Sequence, residues 1–283
     1  MNAQAFIAQA PKLPAPSPSV ARLLALLTQP EVDNEDLIQV VSQDGVLCAK
    51  LLGLCNAAAY GLATPVGSVD QAVMYLGHGE IHRLVMAVAF GGPLSRELPG
   101  YAIGSRELWK HSLLSAYMAA AVAARMPGLV TDPSIAYTAG LIHDIGKIVL
   151  SQGLDPAAQA AVLELIERGE RPLLEAERAV LGTDHAEVGA CLLRQWKLPE
   201  VLIEAVANHH RPVFQPVPQL SVVVHVADVL ALAAGCAPGL GSFAVTADAP
   251  AIGALGLKDA DMDQLAITAF DALAEVEGML TVS

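Results

Sequence analysis

The sequence predicts an all-α protein, an N-terminal helical bundle packed on a second helical domain. Three observations predict it. Of 283 residues 54% are hydrophobic but only 4% aromatic, and the apolar majority is Ala, Leu and Val. Ala and Leu favour helix, and aromatic and β-branched residues are together fewer than Ala and Leu. Second, apolar residues recur at helical spacing in one segment after another. Third, those segments are bounded by Asp or Ser at their starts, Pro in first turns and Gly at their ends. The mean hydropathy, +0.48, implies close packing through small side chains.

Residues 1–12 read as a flexible lead, and "LPAPSPS" (13–19) as an extended, proline-rich entry. "VARLLALLTQ" (20–29) carries apolar residues at helical spacing. "DNEDLIQVVSQ" opens with Asp33 and Asp36, acids favoured at a helix start. "GVLCAKLLGLCNAAAYG" is a strongly apolar helix ended by Gly61. "SVDQAVMYLG" runs from a Ser68 cap to Gly77, and "EIHRLVMAVAFGG" is closed by Gly91 and Gly92. "PLSRELPGYAIGSR" (93–106), with two Pro and two Gly, reads as a connector. Domain 13–106 therefore holds the first helical block and its connector.

The second block spans 107–240. "ELWKHSLLSAYMAAAVAARM" is a long helix. "DPSIAYTAGLIHDIGKIVLSQ" starts with Asp132 as cap and Pro133 in the first turn, and its periodicity reads as one continuous helix. "PLLEAERAVLG", "DHAEVGACLLRQWK" and "LPEVLIEAVANHH" follow, and "QLSVVVHVADVLALAAG" is the last strongly apolar helix of the block. A C-terminal extension, 241–283, adds the helix "DADMDQLAITAFDALAEVEGML".

A net charge of −13 argues against nucleic acid or an anionic membrane surface as partner, since both need basic patches. A phosphate-bearing ligand would need a metal ion or local lysines to reverse the field. No stretch reads as transmembrane, the N-terminus lacks the pattern of a signal peptide, and a cytoplasmic location is expected. Cys48, Cys55, Cys191 and Cys236 have no CxxC spacing and read as small buried hydrophobes in a reducing compartment.

The informative residues are polar ones inside apolar helices, because a buried ionisable group is costly unless paired or bound to metal. They are His111 in "LWKHSLL", His143 and Asp144 in "LIHDIGK", His185 in "DHAEVG", His209 and His210 in "AVANHH", and Asp228 in "VVVHVADVLALA". Six of the eight histidines fall in the second block, whereas His78 and His82 read as ordinary packing histidines. Imidazole and carboxylate are the ligands of zinc, iron and manganese, and a helical core is a usual place for them to converge. Neighbours on a helix point about 100° apart, so the two adjacent pairs favour a dinuclear centre over a mononuclear one.

These residues resemble a known superfamily. The order His111, His143-Asp144, Asp228 is similar to that of the HD metal-dependent phosphohydrolases. Adding His185 and His209-His210 resembles their two-metal members, such as the HD-GYP phosphodiesterases. The surrounding text resembles the HDOD (HD-related output) domain more closely. The carrying blocks include "LIQVVSQDGVLCAKLLGLCNAAAYG" with Asp44 and Asn56, "PVGSVDQAVMYLG", "AGLIHDIGKIVL" and "HAEVGACLLRQWKLPEVLIEAVANHH", over about 13–235.

The resemblance implies a bacterial signal-transduction output protein with an HD-type metal-site domain. It further implies one divalent ion on His111, His143, Asp144 and Asp228, and a second on His185, His209 and His210 with Asp144 bridging. Fe, Mn, Zn, Ni and Mg all remain open as the ion. The alternative it implies is an active phosphohydrolase on a nucleotide or other phosphate ester, with Asp144 and Lys147 as catalytic residues. Lys147, one turn after Asp144, is placed to neutralise a phosphate oxygen. His225, three residues before Asp228, is expected behind that carboxylate. "HHRPVFQPVP" lacks the Gly-Tyr-Pro loop, so the resemblance does not extend to cyclic-di-GMP hydrolysis. Expected partners are another protein or a small phosphorylated ligand, and oligomer formation stays open.

Overall fold

The computed structural model describes residues 2–9, 13–27, 34–57, 64–126, 132–169, 171–212, 220–239 and 249–282. Among these are sixteen α-helices and no strand, only an isolated antiparallel bridge between Leu98 and Ile103. The expected all-α class is what the chain adopts.

The first block comprises α2 (Pro18–Leu27), α3 (Asn34–Ser42), α4 (Gly45–Cys55), α5 (Val69–Leu76) and α6 (His78–Leu94). Asp44 caps α4 by accepting from the Leu47 amide at 3.0 Å, and Ser68 caps α5 by accepting from the Gln71 amide. Asn56 ties the far end of the following loop, donating to the Val66 carbonyl at 2.9 Å and accepting from its amide at 2.8 Å. The expected signals at Asp33 and Gly61 lie outside the described residues.

The second block comprises α7 (Glu107–Ala124), α8 (Pro133–Ile142), α9 (Ile145–Gly153), α10 (Pro156–Glu167), α11 (Leu173–Leu181), α12 (His185–Gln195), α13 (Glu200–Asn208) and α14 (Leu220–Ala233). α7 is its spine, packed on α8 and α14. The α7–α8 crossing is close because Gly140 lies against the backbone of Ser115 and Ala116, where a Cβ would stand 2.7 Å from the Ser115 carbonyl oxygen. α6 contacts α7, α8 and α9, so the two blocks share one continuous core. α15 (Ala249–Ala254) and α16 (Asp259–Val282) complete the chain, and α16 lies along α7.

Three expectations are corrected. The flexible lead contains α1 (Ala3–Gln9), which buries Ala3 and Phe6 and packs on α9 and α12. Burial of these apolar residues stabilises a seven-residue helix that is too short to stand alone. Helix α6 does not stop at Gly91–Gly92 but runs on to Leu94. Gly91 serves a close approach there, since a Cβ would sit 3.1 Å from the Trp109 ring. Finally, the continuous helix expected over 132–152 breaks at His143–Asp144 into α8 and α9. The break lets α9 cross α12 backbone to backbone at Gly146, where any Cβ would overlap the His185 carbonyl.

Candidate metal centre

The seven ligand-type residues are delivered from five places in the fold. His111 comes from α7, His185 from the first turn of α12, and Asp228 from α14. The two adjacent pairs follow the last residues of α8 and α13, with His143 and His209 in the C-cap positions. The chain turns there, so both members of each pair face inward.

The structure brings together all seven residues singled out in the sequence as metal ligands. His111 Nε2 is 3.1 Å from Asp228 Oδ1 and 3.3 Å from His143 Nε2. His143 Nε2 is 3.4 Å from Asp144 Oδ2. On the other side Asp144 Oδ1 is 3.4 Å from His185 Nε2 and 3.8 Å from His209 Nε2. His185 Nε2 is 2.9 Å from His210 Nε2. Two groups result, His111–His143–Asp228 and Asp144–His185–His209–His210, each with its ligand atoms within 4.8 Å of one another. Asp144 belongs to the second group, while its Oδ2 lies beside His143 of the first. All of these side chains are buried except His210, which is partly exposed.

The ring tautomers make the site suited to a cation. His111, His143 and His209 each place Nδ1 at hydrogen-bond distance from a main-chain carbonyl, of Cys236 (2.8 Å), Gly140 (2.7 Å) and Val206 (2.7 Å). A carbonyl only accepts, so each Nδ1 carries the hydrogen, and in its neutral form each ring aims a bare Nε2 lone pair inward. Lone pairs and carboxylate oxygens facing one another at these distances repel unless a cation lies among them. Among the described residues, Asp144 Oδ1 and His209 Nε2 are buried without a hydrogen-bond partner. Such orphaned acceptors, in an imidazole and carboxylate donor set, fit divalent transition-metal ions.

The electrostatics agree. Burial, with His143 and His185 beside it, pushes His209 down to about 3. Burial, with His209 and His185, also holds His210 well below the usual histidine range. Both are therefore neutral at physiological pH, the form that ligates. Burial works to raise Asp144, but Lys147, His143 and His185 outweigh it and hold the carboxyl well below its ordinary value. Burial likewise opposes ionisation of Asp228, and His111 and His143 overcome it. Burial works to lower His143, whereas Asp144 and Asp228 raise it above the ordinary value. Lys147, the other residue singled out for catalysis, is buried with its Nζ 2.6 Å from Asp144 Oδ2. His225 donates from Nδ1 to the His209 carbonyl at 2.9 Å, and so braces the paired histidines.

Two residues that the sequence did not single out stand behind His185. Glu177, fully buried, accepts at Oε2 from the His185 ring Nδ1 (2.8 Å) and backbone amide (2.9 Å), and at Oε1 from the Tyr101 hydroxyl (2.5 Å). Neither was legible: Glu177 lies between Ala176 and Arg178 in a segment with a strong polar face, and Tyr101 sits in the connector.

The HDOD domain model matches residues 13–212, well over half of the chain. The chain belongs to the HDOD family. Its family match ends before α14, so His225 and Asp228 join the site by geometry rather than by that match. Among solved structures, this HDOD protein is similar to an HDOD domain protein of unknown function from Geobacter sulfurreducens. The identity is 25%, with a TM-score of 0.74, over 98% of this chain and 96% of that one. A Shewanella amazonensis protein provisionally named a phosphohydrolase is also similar, at 25% identity and a TM-score of 0.70, over 98% and 97% of the two chains. A curated relative from Treponema pallidum, described as uncharacterized, is 27% identical over 202 residues. The match covers 71% of this HDOD protein but only 37% of the relative, so the chain spans little over a third of that protein's length. Among the described residues no single helix is long and apolar enough to cross a membrane, although the bent pair Glu35–Ser42 and Gly45–Cys55 passes by length and composition alone.

Proposed function

We propose that this HDOD protein is a bacterial signalling output module built around a dinuclear divalent-metal centre. His111, His143 and Asp228 would hold one ion, and His185, His209 and His210 the other, with Asp144 between them. The observation that carries this reading is the convergence of bare Nε2 lone pairs on Asp144, with two buried acceptors left without donors. The near-complete burial of the ligands supports ions held as part of the core rather than loosely at the surface.

The second reading, a phosphohydrolase, has its own support. Lys147 is held against Asp144 where it could neutralise a phosphate oxygen, His210 is partly exposed, and one similar structure is provisionally named a phosphohydrolase. Bound divalent ions would supply Lewis-acid stabilisation of charge developing on a phosphoryl oxygen. Asp144 would orient the reacting groups, and Lys147 would carry the compensating charge.

Elemental analysis of protein purified without chelators tests the first reading, with about two divalent ions per chain expected and less than about 0.2 overturning it. A phosphoester screen with Mn²⁺ and Fe²⁺ tests the second. Turnover that Asp144→Ala abolishes supports it, whereas turnover that survives that substitution rules out this site as its source.

A further inference from the structure

The ligand histidines are not all oriented in the same way. His111, His143 and His209 give Nδ1–H to main-chain carbonyls, whereas His185 gives its Nδ1–H to the Glu177 carboxylate. A carbonyl offers a partial charge, and a carboxylate offers a full one. Through the ring, that charge makes Nε2 a stronger donor to a metal. That nitrogen faces the second group, 3.4 Å from Asp144 Oδ1 and 2.9 Å from His210 Nε2.

Glu177 is costly to keep. It is a fully buried carboxylate, and it is stable only because three donors surround it. Two of them belong to His185 and the third is the Tyr101 hydroxyl. Tyr101 ends the 3-10 turn Pro99–Tyr101, which is closed by the Leu98–Ile103 bridge. The next residue, Ala102, sits in the left-handed region at φ 51, a conformation unfavourable for a non-glycine residue. The turn is wedged on both sides. The Gly100 amide donates to Ser151 Oγ at 3.3 Å, and the Gly239 backbone lies so close that a Cβ there would overlap the Tyr101 carbonyl. Strain in the connector is thus tolerated where it aims one phenol at one carboxylate.

We infer that Glu177 and Tyr101 are positioning residues for the second ion subsite, made by Asp144, His185, His209 and His210. Glu177 fixes the His185 tautomer and strengthens its Nε2, and Tyr101 holds Glu177 in register. The inference rests on the metal-centre reading above. It makes the two subsites unequal, because only one is backed by a carboxylate.

The test uses the full chain, stripped of metal and titrated with Co²⁺, followed by calorimetry and by the visible absorption of each bound equivalent. In Glu177→Gln, one of the two binding events weakens by about 10- to 100-fold and its absorption band shifts, while the other event stays unchanged. Tyr101→Phe leaves Glu177 one donor short and weakens the same event by about fivefold. Should Glu177→Gln fail to fold, Tyr101→Phe carries the test. Two Co²⁺ bound by both variants as tightly as by the wild type overturns the inference and leaves the metal centre standing. Equal weakening of both events also overturns it, since a merely structural role acts on both. A wild type that takes up no Co²⁺ overturns the metal-centre reading and this inference together.

Discussion

The chain buries histidine in two different ways. His82, on α6 in the first block, is 1% exposed, with Nε2 3.0 Å from Thr138 Oγ1 and 3.2 Å from the Ser134 carbonyl. Its other nitrogen has no hydrogen-bond partner among the described residues, and its ring lies edge-on to Tyr137. One leftover lone pair in an apolar setting is a tolerable cost in a core. The second block buries five more histidines almost completely, and there lone pairs and carboxylate oxygens face one another. Burial alone does not mark a site. What marks one is convergence of acceptors that no protein donor can satisfy.

The largest expected effect separates the two regions by metal. Adding Mn²⁺ at about a thousandfold over its dissociation constant should stabilise the stripped protein by about 4 kcal/mol, a rise of about 10 °C in melting temperature. A chelator should reverse it, and His82→Gln should leave the rise intact. An unchanged melting temperature would remove the distinction drawn between the two regions.

The next effect belongs to His82. Burial pushes its imidazole down to about 4 from an ordinary value of 6.5. The folded state therefore holds it neutral, while the unfolded state protonates it first. Its contribution is fully present above pH 6.5 and is lost as the pH falls from there towards 4, by at most about 3 kcal/mol. Denaturant unfolding across that window should show a shallower pH slope in His82→Gln, by close to one proton. Equal slopes would mean that His82 is not held neutral.

The smallest effect concerns a cap. Asp44→Ala removes the acceptor for the Leu47 amide at the start of α4 and should cost about 1 kcal/mol. Metal content should not change, because α4 lies in the first block and supplies no ligand. Loss of ions from that variant would show that the two regions are coupled more tightly than their chemistry implies.

Much of this was legible in the sequence, for identifiable reasons. Caps at Ser68 and Asp132 announce helix starts because their side chains satisfy amides within three residues. The seven ligand-type residues stand out because acids and imidazoles are rare inside apolar helices. What stayed hidden depends on partners far along the chain. Gly91 reads as a stop until Trp109 is seen against it, and "LIHDIGK" reads as helix until Gly146 meets the His185 backbone. Glu177 reads as a solvated acid until Tyr101, 76 residues earlier, closes over it. α1 escapes notice because the surface it covers belongs to α9 and α12.

The two histidine pairs are mounted on the ends of α8 and α13 rather than along their sides, each leading ring braced on the carbonyl three residues before it. Helix ends are where local opening begins, at free energies far below that of global unfolding. At α13 the chain leads on to the partly exposed His210, so opening of its last turn would swing His209 and His210 outward while the remaining helices stayed folded, whereas His143 and Asp144 run straight into buried α9 and stay fixed. Exchange of a bound ion would then be timed by that local opening, so a tightly folded protein could still trade its ions quickly.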